Sequence, residues 1–339
     1  MTLSATVLIP THNHGRLLGY AARSALSQTI ADIELLIVGD GVDDATREVA
    51  RELVQQDPRV QFFDFPKGPR RGEILRHHVL QQAKGKMVCY LCDDDLWLPF
   101  HLEAMRGWLE DADFAHSFPT YIRIDGSVGA HVGKLGQPGI RRRLRGGWNF
   151  MPLSSGGHTL DLYRRLPHGW RTSPDDFPTD LYMWLQVLDV AGCRAVSGEL
   201  PTFLHFPSDE RIEWSLDQRE DELRPWDARL HDPELPMELC SRALDAVTSS
   251  HVELELRLLR ELEATLEPAA MHGLNALEKV ARLGKRLASA EARLATSDDA
   301  RCQMERSITW RLRGLLDRLP LLSSPFRMLA TAVSSRRAR

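Results

Sequence analysis

The sequence predicts an α/β protein, on three observations. Short apolar runs alternate with amphipathic segments over the first hundred residues. Those runs end in turn-forming or acidic residues: Pro10-Thr11, Gly39-Asp40-Gly41 and Asp93-Asp94-Asp95. No stretch of about 18 uncharged apolar residues occurs, so no conventional membrane span is expected.

Taken in order, Ala5-Thr6-Val7-Leu8-Ile9 is an apolar run stopped by Pro10, as expected of a buried parallel strand. A polar turn from Thr11 to Gly15 follows, and then Leu17, Leu18, Ala21 and Ala25 recur at helical spacing. Ile33 to Val38 reads as the second strand. Asp44 to Gln56 is a helix with Ala45, Val49 and Leu53 on one face and Pro58 beyond its end. Val60 to Phe65 is a third strand, Glu73 to Ala83 a helix closed by Gly85, and Met87 to Leu91 a fourth strand. Strands and helices at this spacing imply a parallel sheet covered by helices. From about 114 to 225 the pattern is irregular and rich in Gly, Pro and Trp, with a helical stretch from Asp180 to Val190. From about 238 Leu, Glu, Arg and Ala dominate, with Pro268 as a break. The best heptad register there puts Gly284 and Glu291 on the seam, which favours a helical hairpin over a long coiled coil. The expected organisation is one domain over 1–225 and a mostly helical extension over 226–339.

Composition narrows the function. The 339 residues carry a net charge of only −4, which argues against a polycation that coats nucleic acid. Residues 301–339 hold nine arginines against two acids, so a basic tail follows an acidic body. Such a tail, with the segment Ser307 to Leu316, suits either an anionic membrane face, a protein partner or solvent. Five cysteines are poor material for a disulfide framework, and the start lacks a secretory pattern, so a cytoplasmic setting is expected. Cys89 and Cys92 lie three apart on a strand, which points them to opposite faces and makes them inert thiols rather than a redox or zinc pair. Dinucleotide, P-loop and hydrolase fingerprints are absent.

In open α/β sheets ligands bind beyond the carboxyl ends of the strands, which here carry a hydroxyl and two acidic clusters. Adjacent carboxylates repel, so Asp93-Asp94-Asp95 points to a divalent cation such as Mg2+ or Mn2+ between protein and phosphate. The alternative is a helix start before Leu96-Trp97-Leu98. Asp40, between two glycines, is either a carboxylate for a base or ribose or part of a plain turn. His12, His14, His77 and His78 read as turn and helix-surface residues.

The ordered motifs Val7-Leu8-Ile9-Pro10-Thr11-His12-Asn13, Ala25-Leu26-Ser27-Gln28-Thr29, Glu34 to Gly41, Ala83-Lys84-Gly85 and Tyr90 to Pro99 resemble the opening of family 2 glycosyltransferases. The resemblance is strong over about 4–110, weaker over 150–206 and slight in the tail. It implies a GT-A fold, a Rossmann-like domain for nucleotide-diphosphate sugars, and an inverting transfer. It implies a UDP-, dTDP- or GDP-linked donor and a saccharide, lipid-linked or protein acceptor, as in surface polysaccharide synthesis. By position, Pro10, Thr11, Asn13, Asp40 and Gly41 would line the base and ribose, and Arg76 would approach the diphosphate. Asp94 would be the first metal ligand, with Asp93 beside the ribose; a plain D-x-D register selects Asp93 and Asp95 instead. His205 would be a late metal or phosphate contact, and His158 would line the sugar pocket. Asp180 would be the catalytic base, with Asp175 and Asp176 in reserve, and Trp148, Trp170 and Trp214 would offer stacking faces. Two departures stand out: Gly39 where the family often has Asp, and Cys92 where the acidic pattern would place an Asp. They leave a catalytically silent scaffold acting through its tail as an alternative, beside a sugar-1-phosphate nucleotidyltransferase.

Overall fold

The computed structural model describes residues 3–131 and 133–269. The first compact unit ends at Val247, and the described part of the second continues a helix to Ala269.

The alternation read from the sequence is present. β1 (Leu3–Thr11), α1 (Arg16–Leu26), β2 (Ile33–Asp40), α2 (Asp44–Gln56), β3 (Val60–Phe65), α3 (Glu73–Leu80) and β4 (Gly85–Tyr90) follow one another as expected. After the three aspartates come β5 (Leu96–Trp97), α4 (His101–Leu109), β6 (Phe114–His116), β7 (Thr120–Ile122), β8 (Val128–Ala130) and α5 (Ile140–Arg145). The chain then forms β9 (Gly156–Thr159), α6 (Leu160–Arg164), α7 (Thr179–Leu188), β10 (Ala195–Ser197), β11 (Phe203–Leu204), α8 (Leu216–Asp227) and α9 (Leu235–Ala269). The acidic run does not start a helix: β5 follows it, and the next helix begins only at His101. That removes the capping reading of the aspartates.

Seven strands form the main sheet in the order β10-β6-β9-β4-β1-β2-β3. β1 to β4 pair in parallel, which requires the helical crossovers that the sequence pattern announced. The sheet is nevertheless mixed, because β9 runs antiparallel between β4 and β6. Its sequence, Gly-Gly-His-Thr, has no apolar run to betray a strand. The glycines are there for space: a Cβ on Gly156 would lie 2.7 Å from the Trp184 ring, and one on Gly157 would lie 2.9 Å from Cys89 Sγ.

Alternate residues of β1, β2 and β4 supply two cores. Val7, Ile9, Leu35, Ile37, Met87 and Cys89 pack with α1, α2 and α4; Leu8, Leu36, Val38, Val88 and Tyr90 pack with α3, α6 and α7. Cys89 and Cys92 fall on opposite sides, as the spacing requires, and both are free thiols that burial makes hard to ionise. One buried carboxylate interrupts β2. Glu34 accepts from Thr6 Oγ1 at 2.6 Å and from the Lys84 amide, which ties β1, β2 and the turn before β4 together. Two small sheets, β5 with β11 and β7 with β8, complete the rim. Among the described residues no helix is long and apolar enough to cross a membrane. The heptad register near 277–294, Cys302 and the basic segment from Ser307 to Leu316 lie outside the described residues.

Candidate active site

The parallel strands deliver Thr11, Asp40 and Asp93-Asp94-Asp95 to one rim of the sheet. Pro10 is half-buried and Thr11 is buried at the end of β1, in register with Val38 and Gly39 of β2. Asn13 follows, and its Oδ1 accepts from the Asp43 amide at 2.8 Å, which fixes the loop after β1 against the start of α2. His12 Nδ1 donates to the Asp40 carbonyl at 2.7 Å.

Asp40 is buried, and its carboxylate accepts from Lys67 Nζ at 2.6 Å and from the Gly68 amide. Both donors come from the loop after β3. Two positive-φ glycines make this approach possible. Gly41 has φ +62 with Lys67 backbone 2.8 Å from where a Cβ would stand, and Gly72 has φ +66 with Asp40 Cγ 2.6 Å from its would-be Cβ. Gly39 has a packing reason as well, since a Cβ there would sit 2.9 Å from the Phe62 ring.

The three aspartates take three different partners. Asp93 is paired with His14, whose Nδ1 lies 2.7 Å from Asp93 Oδ1. Asp93 raises the His14 pKa to about 9 against the opposing effect of burial. Burial alone would raise Asp93, but the His14 charge beside it holds the carboxyl below its usual range. Asp93 Oδ2 is buried without a hydrogen-bond partner among the described residues. Asp94 accepts from Ser208 Oγ at 2.7 Å and from the Arg219 guanidinium, yet burial and the charges of Asp95 and Asp93 still push its pKa up. Asp95 has no exposed surface. Its oxygens accept from the Phe206 amide at 2.9 Å, from Ser154 Oγ and from His205 Nδ1 at 3.0 Å.

Asp95 anchors the chain around β11 through these bonds, and with Cys92 and Asp94 it also forms a second group whose potential ligand atoms lie within 4.8 Å of one another. His205 is bound through Nδ1, which leaves Nε2 as its free ligand nitrogen. Burial works against its charged form, but Asp95 prevails and raises its pKa. His14, Asp93 and Asp94 bring one potential ligand atom each within 4.8 Å of one another. His14 is thus no ordinary turn residue. Its place immediately after β1, on the same rim as the acids, was the available signal. Ser208 and Arg219 are more than 100 residues from the aspartates in sequence, and no local pattern marks them.

Arg76 is buried on α3, with its guanidinium 4.7 Å from the Trp170 ring centre and its Nε without a partner among the described residues. Burial pulls its pKa down, against the charges of Glu73, Cys92 and Asp180. Asp180 is half-buried in the first turn of α7, where Oδ1 accepts from the Leu181 amide at 2.9 Å. Burial raises its pKa. The loop ahead of it is held from two sides. Glu73 accepts from Ser173 Oγ at 3.1 Å and Thr179 Oγ1 at 3.2 Å, and Arg70 donates to the Asp175 carbonyl at 2.6 Å. Asp175 and Asp176 are exposed.

His158 does not line a pocket. It is fully buried in β9, accepts from Tyr90 OH at 2.7 Å, donates through Nδ1 to the Thr159 carbonyl and stacks on Tyr163. Antiparallel pairing on both sides of β9 puts this ring in the core. Trp170 is likewise buried, whereas Trp148 is half-buried, stacked on Phe150 and covered by Arg143.

Residues 6–166 match the family model described as glycosyl transferase family 2. An uncharacterized glycosyltransferase of Nostoc sp. is 26% identical over 210 residues, covering 59% of this chain and 62% of that protein. The chain thus spans less than two thirds of the Nostoc relative. WfgD of Escherichia coli, a UDP-Glc:alpha-D-GlcNAc-diphosphoundecaprenol beta-1,3-glucosyltransferase, is 25% identical over 196 residues, 57% of this chain and 72% of the relative. The crystal structure of S. aureus TarS in complex with UDP-GlcNAc aligns with a TM-score of 0.46 at 13% identity, over 60% of this chain and 59% of that one. Over residues 6–166, a little under half of its length, the chain is similar to glycosyl transferase family 2.

Proposed function

We propose that the protein is a metal-dependent inverting glycosyltransferase that moves a sugar from a nucleoside-diphosphate donor to an acceptor hydroxyl. The observation that carries the reading is the acidic rim: Asp93 and Asp94, with His14, converge on one point beyond β4, and Asp93 keeps a buried, unpartnered oxygen. An oxygen-rich donor set with a spare buried carboxylate oxygen fits a hard divalent cation such as Mn2+ or Mg2+. Asp94 and Asp93 would hold it, and His205 Nε2 would join them, with Asp95 orienting the imidazole. When bound, the cation neutralises the diphosphate leaving group.

The remaining roles fall to this chain's own residues. The buried Asp40 carboxylate, with Pro10, Thr11, Asn13 and Gly41 around it, is placed to accept hydrogen bonds from the base or ribose. Arg76 is a desolvated cation with a donor to spare, suited to a phosphate oxygen. Asp180 takes the proton from the acceptor hydroxyl as that oxygen attacks the anomeric carbon from the face opposite the leaving diphosphate. Burial makes it a stronger base than an exposed aspartate, which suits that work near neutral pH.

The E. coli relative's name, with its diphosphoundecaprenol-linked acceptor, supports a lipid-linked acceptor here, and surface polysaccharide assembly is the role we propose for such a transfer. A cytoplasmic location, peripheral at the membrane through the basic tail, agrees with such an acceptor. Binding and turnover of a UDP-, dTDP- and GDP-sugar panel, with and without Mn2+, tests the proposal. Metal-dependent binding of one donor, with hydrolysis or transfer lost in Asp180→Asn while binding persists, is the expected result. Binding of no donor at any metal concentration would refute it and favour the scaffold.

A further inference from the structure

The helix α8 lies outside the family match and carries a cation into the acidic rim. Its start is fixed by a capping box between Ser215 and Gln218. Its side is fixed to α1: Arg16 pairs with Asp217 and Glu220, and Tyr20 OH donates to Glu220 at 3.0 Å. This places Arg219, 8% exposed, with Nη2 on Asp94 Oδ2 and Nη1 3.1 Å from His14 Nε2. His14 in turn pairs with Asp93, so two neighbouring cations, His14 and Arg219, face Asp93 and Asp94, with Ser208 also donating to Asp94. Asp94 Oδ2 already accepts from both Ser208 and Arg219, while Asp93 Oδ2 has no partner within ordinary hydrogen-bond distance among the described residues, the Thr11 hydroxyl being near enough only to help lower the Asp93 pKa.

Two facts of charge follow. A divalent cation that uses Asp94 Oδ2 must displace the guanidinium, because two cations at contact distance on one oxygen repel. The displaced guanidinium stays on a helix held beside the rim, and a planar fork of donors is the group best matched to diphosphate oxygens. We propose that Arg219 is an exchangeable cation of the donor site, competing with the divalent ion for Asp94 and binding the nucleoside diphosphate once it is released. Metal alone then binds weakly and metal with nucleotide binds tightly, which couples the two ligands. This rests on the nucleotide-sugar reading of the site.

The experiment is calorimetric titration of Mn2+ alone, and of UDP, dTDP and GDP with saturating Mn2+, into the full chain and its variants. Arg219→Ala should bind Mn2+ alone at least tenfold more tightly than the parent and bind its preferred nucleotide at least tenfold more weakly. Arg219→Met keeps an apolar stem at this buried position and should behave the same way, so it carries the test if the alanine variant unfolds. Arg219→Lys keeps a charge but not the fork, and should fall between the two. A merely structural arginine would weaken both ligands together. Unchanged or weakened Mn2+ binding, or unchanged nucleotide binding, in a folded Arg219→Met variant overturns the proposal while leaving the nucleotide-sugar reading intact. A parent protein that binds none of the three nucleotides with Mn2+ overturns both.

Discussion

Lowering the pH from 7 to 5 should destabilise this protein severely, because of three histidines remote from the rim. His101, His116 and His158 have no exposed surface. His101 stacks on Trp97 with ring centres 4.1 Å apart and pairs with Thr202 Oγ1 at 2.7 Å, while its Nε2 is buried without a partner among the described residues. His116 donates to the Ser117 carbonyl and accepts from Ser197 Oγ; His158 donates to the Thr159 carbonyl and accepts from Tyr90 OH. Each of the last two uses one nitrogen as donor and the other as acceptor, which is the pattern of a neutral ring. Burial lowers the three pKa values from 6.5 to about 3, about 4 and about 4. Unfolded histidine takes a proton below 6.5 and the folded rings do not, so the stability they confer is complete above 6.5 and is lost as pH falls toward 4. At pH 5 the loss is about 2 kcal/mol per ring, or about 6 kcal/mol for three, against a typical total of about 5–15 kcal/mol. His14 works the other way: its pKa is raised to about 9, so the folded ring is protonated throughout while the unfolded one gains its proton only near 6.5, which returns about 1 kcal/mol between pH 7 and 5. Urea unfolding at pH 7, 6 and 5 measures the effect, and Phe in place of His158 should remove about a third of it. A free energy of unfolding that changes by less than about 1 kcal/mol from pH 7 to 5 would refute the reasoning.

Four further outcomes are expected. Asp180→Asn should lower kcat by about 10²–10⁴-fold. In the parent, kcat/KM should fall on acidification through a pKa above the ordinary aspartate value of 3.8, because the base must be ionised and burial raises its pKa. Gly72→Ala should weaken nucleotide binding and cost about 1–2 kcal/mol of stability, since φ is +66 and the new methyl would stand 2.6 Å from Asp40 Cγ. Donor titration and thermal melts on the same sample check both effects. Ser154→Ala should cost about 1–3 kcal/mol by stripping a donor from buried Asp95 and an acceptor from the Cys92 amide, read as a lowered urea midpoint.

The first four strands and three helices were legible because each is bounded by a turn residue and keeps one period throughout. β9 was not, for its Gly156-Gly157 pair answers to Trp184 and Cys89, residues that no local window contains. His158 was misplaced for the same reason: without the antiparallel strand, nothing tells that its ring faces Tyr90. At the candidate site, the placement of Asp40 and Asp94 beyond the ends of strands was legible from the sequence, and the family resemblance pointed to Asp180, which lies in the first turn of α7. The anchoring bonds of Asp95 were not legible, because adjacent aspartates look alike in sequence and only the return of the chain at His205 and Phe206 supplies its partners. Arg219 required the packing of α8 on α1, a contact between residues about 200 apart in sequence.

The pairing of β5 with β11 has a consequence for anyone trimming the gene. Phe203 and Leu204 complete the ladder of Trp97 and Leu96, and Phe206 supplies an amide to Asp95. A fragment cut at the end of the family match would strand a buried carboxylate and an open strand edge just where the chemistry is to happen. The smallest piece worth expressing therefore runs to the end of α8, some sixty residues past the point where sequence similarity would place the scissors.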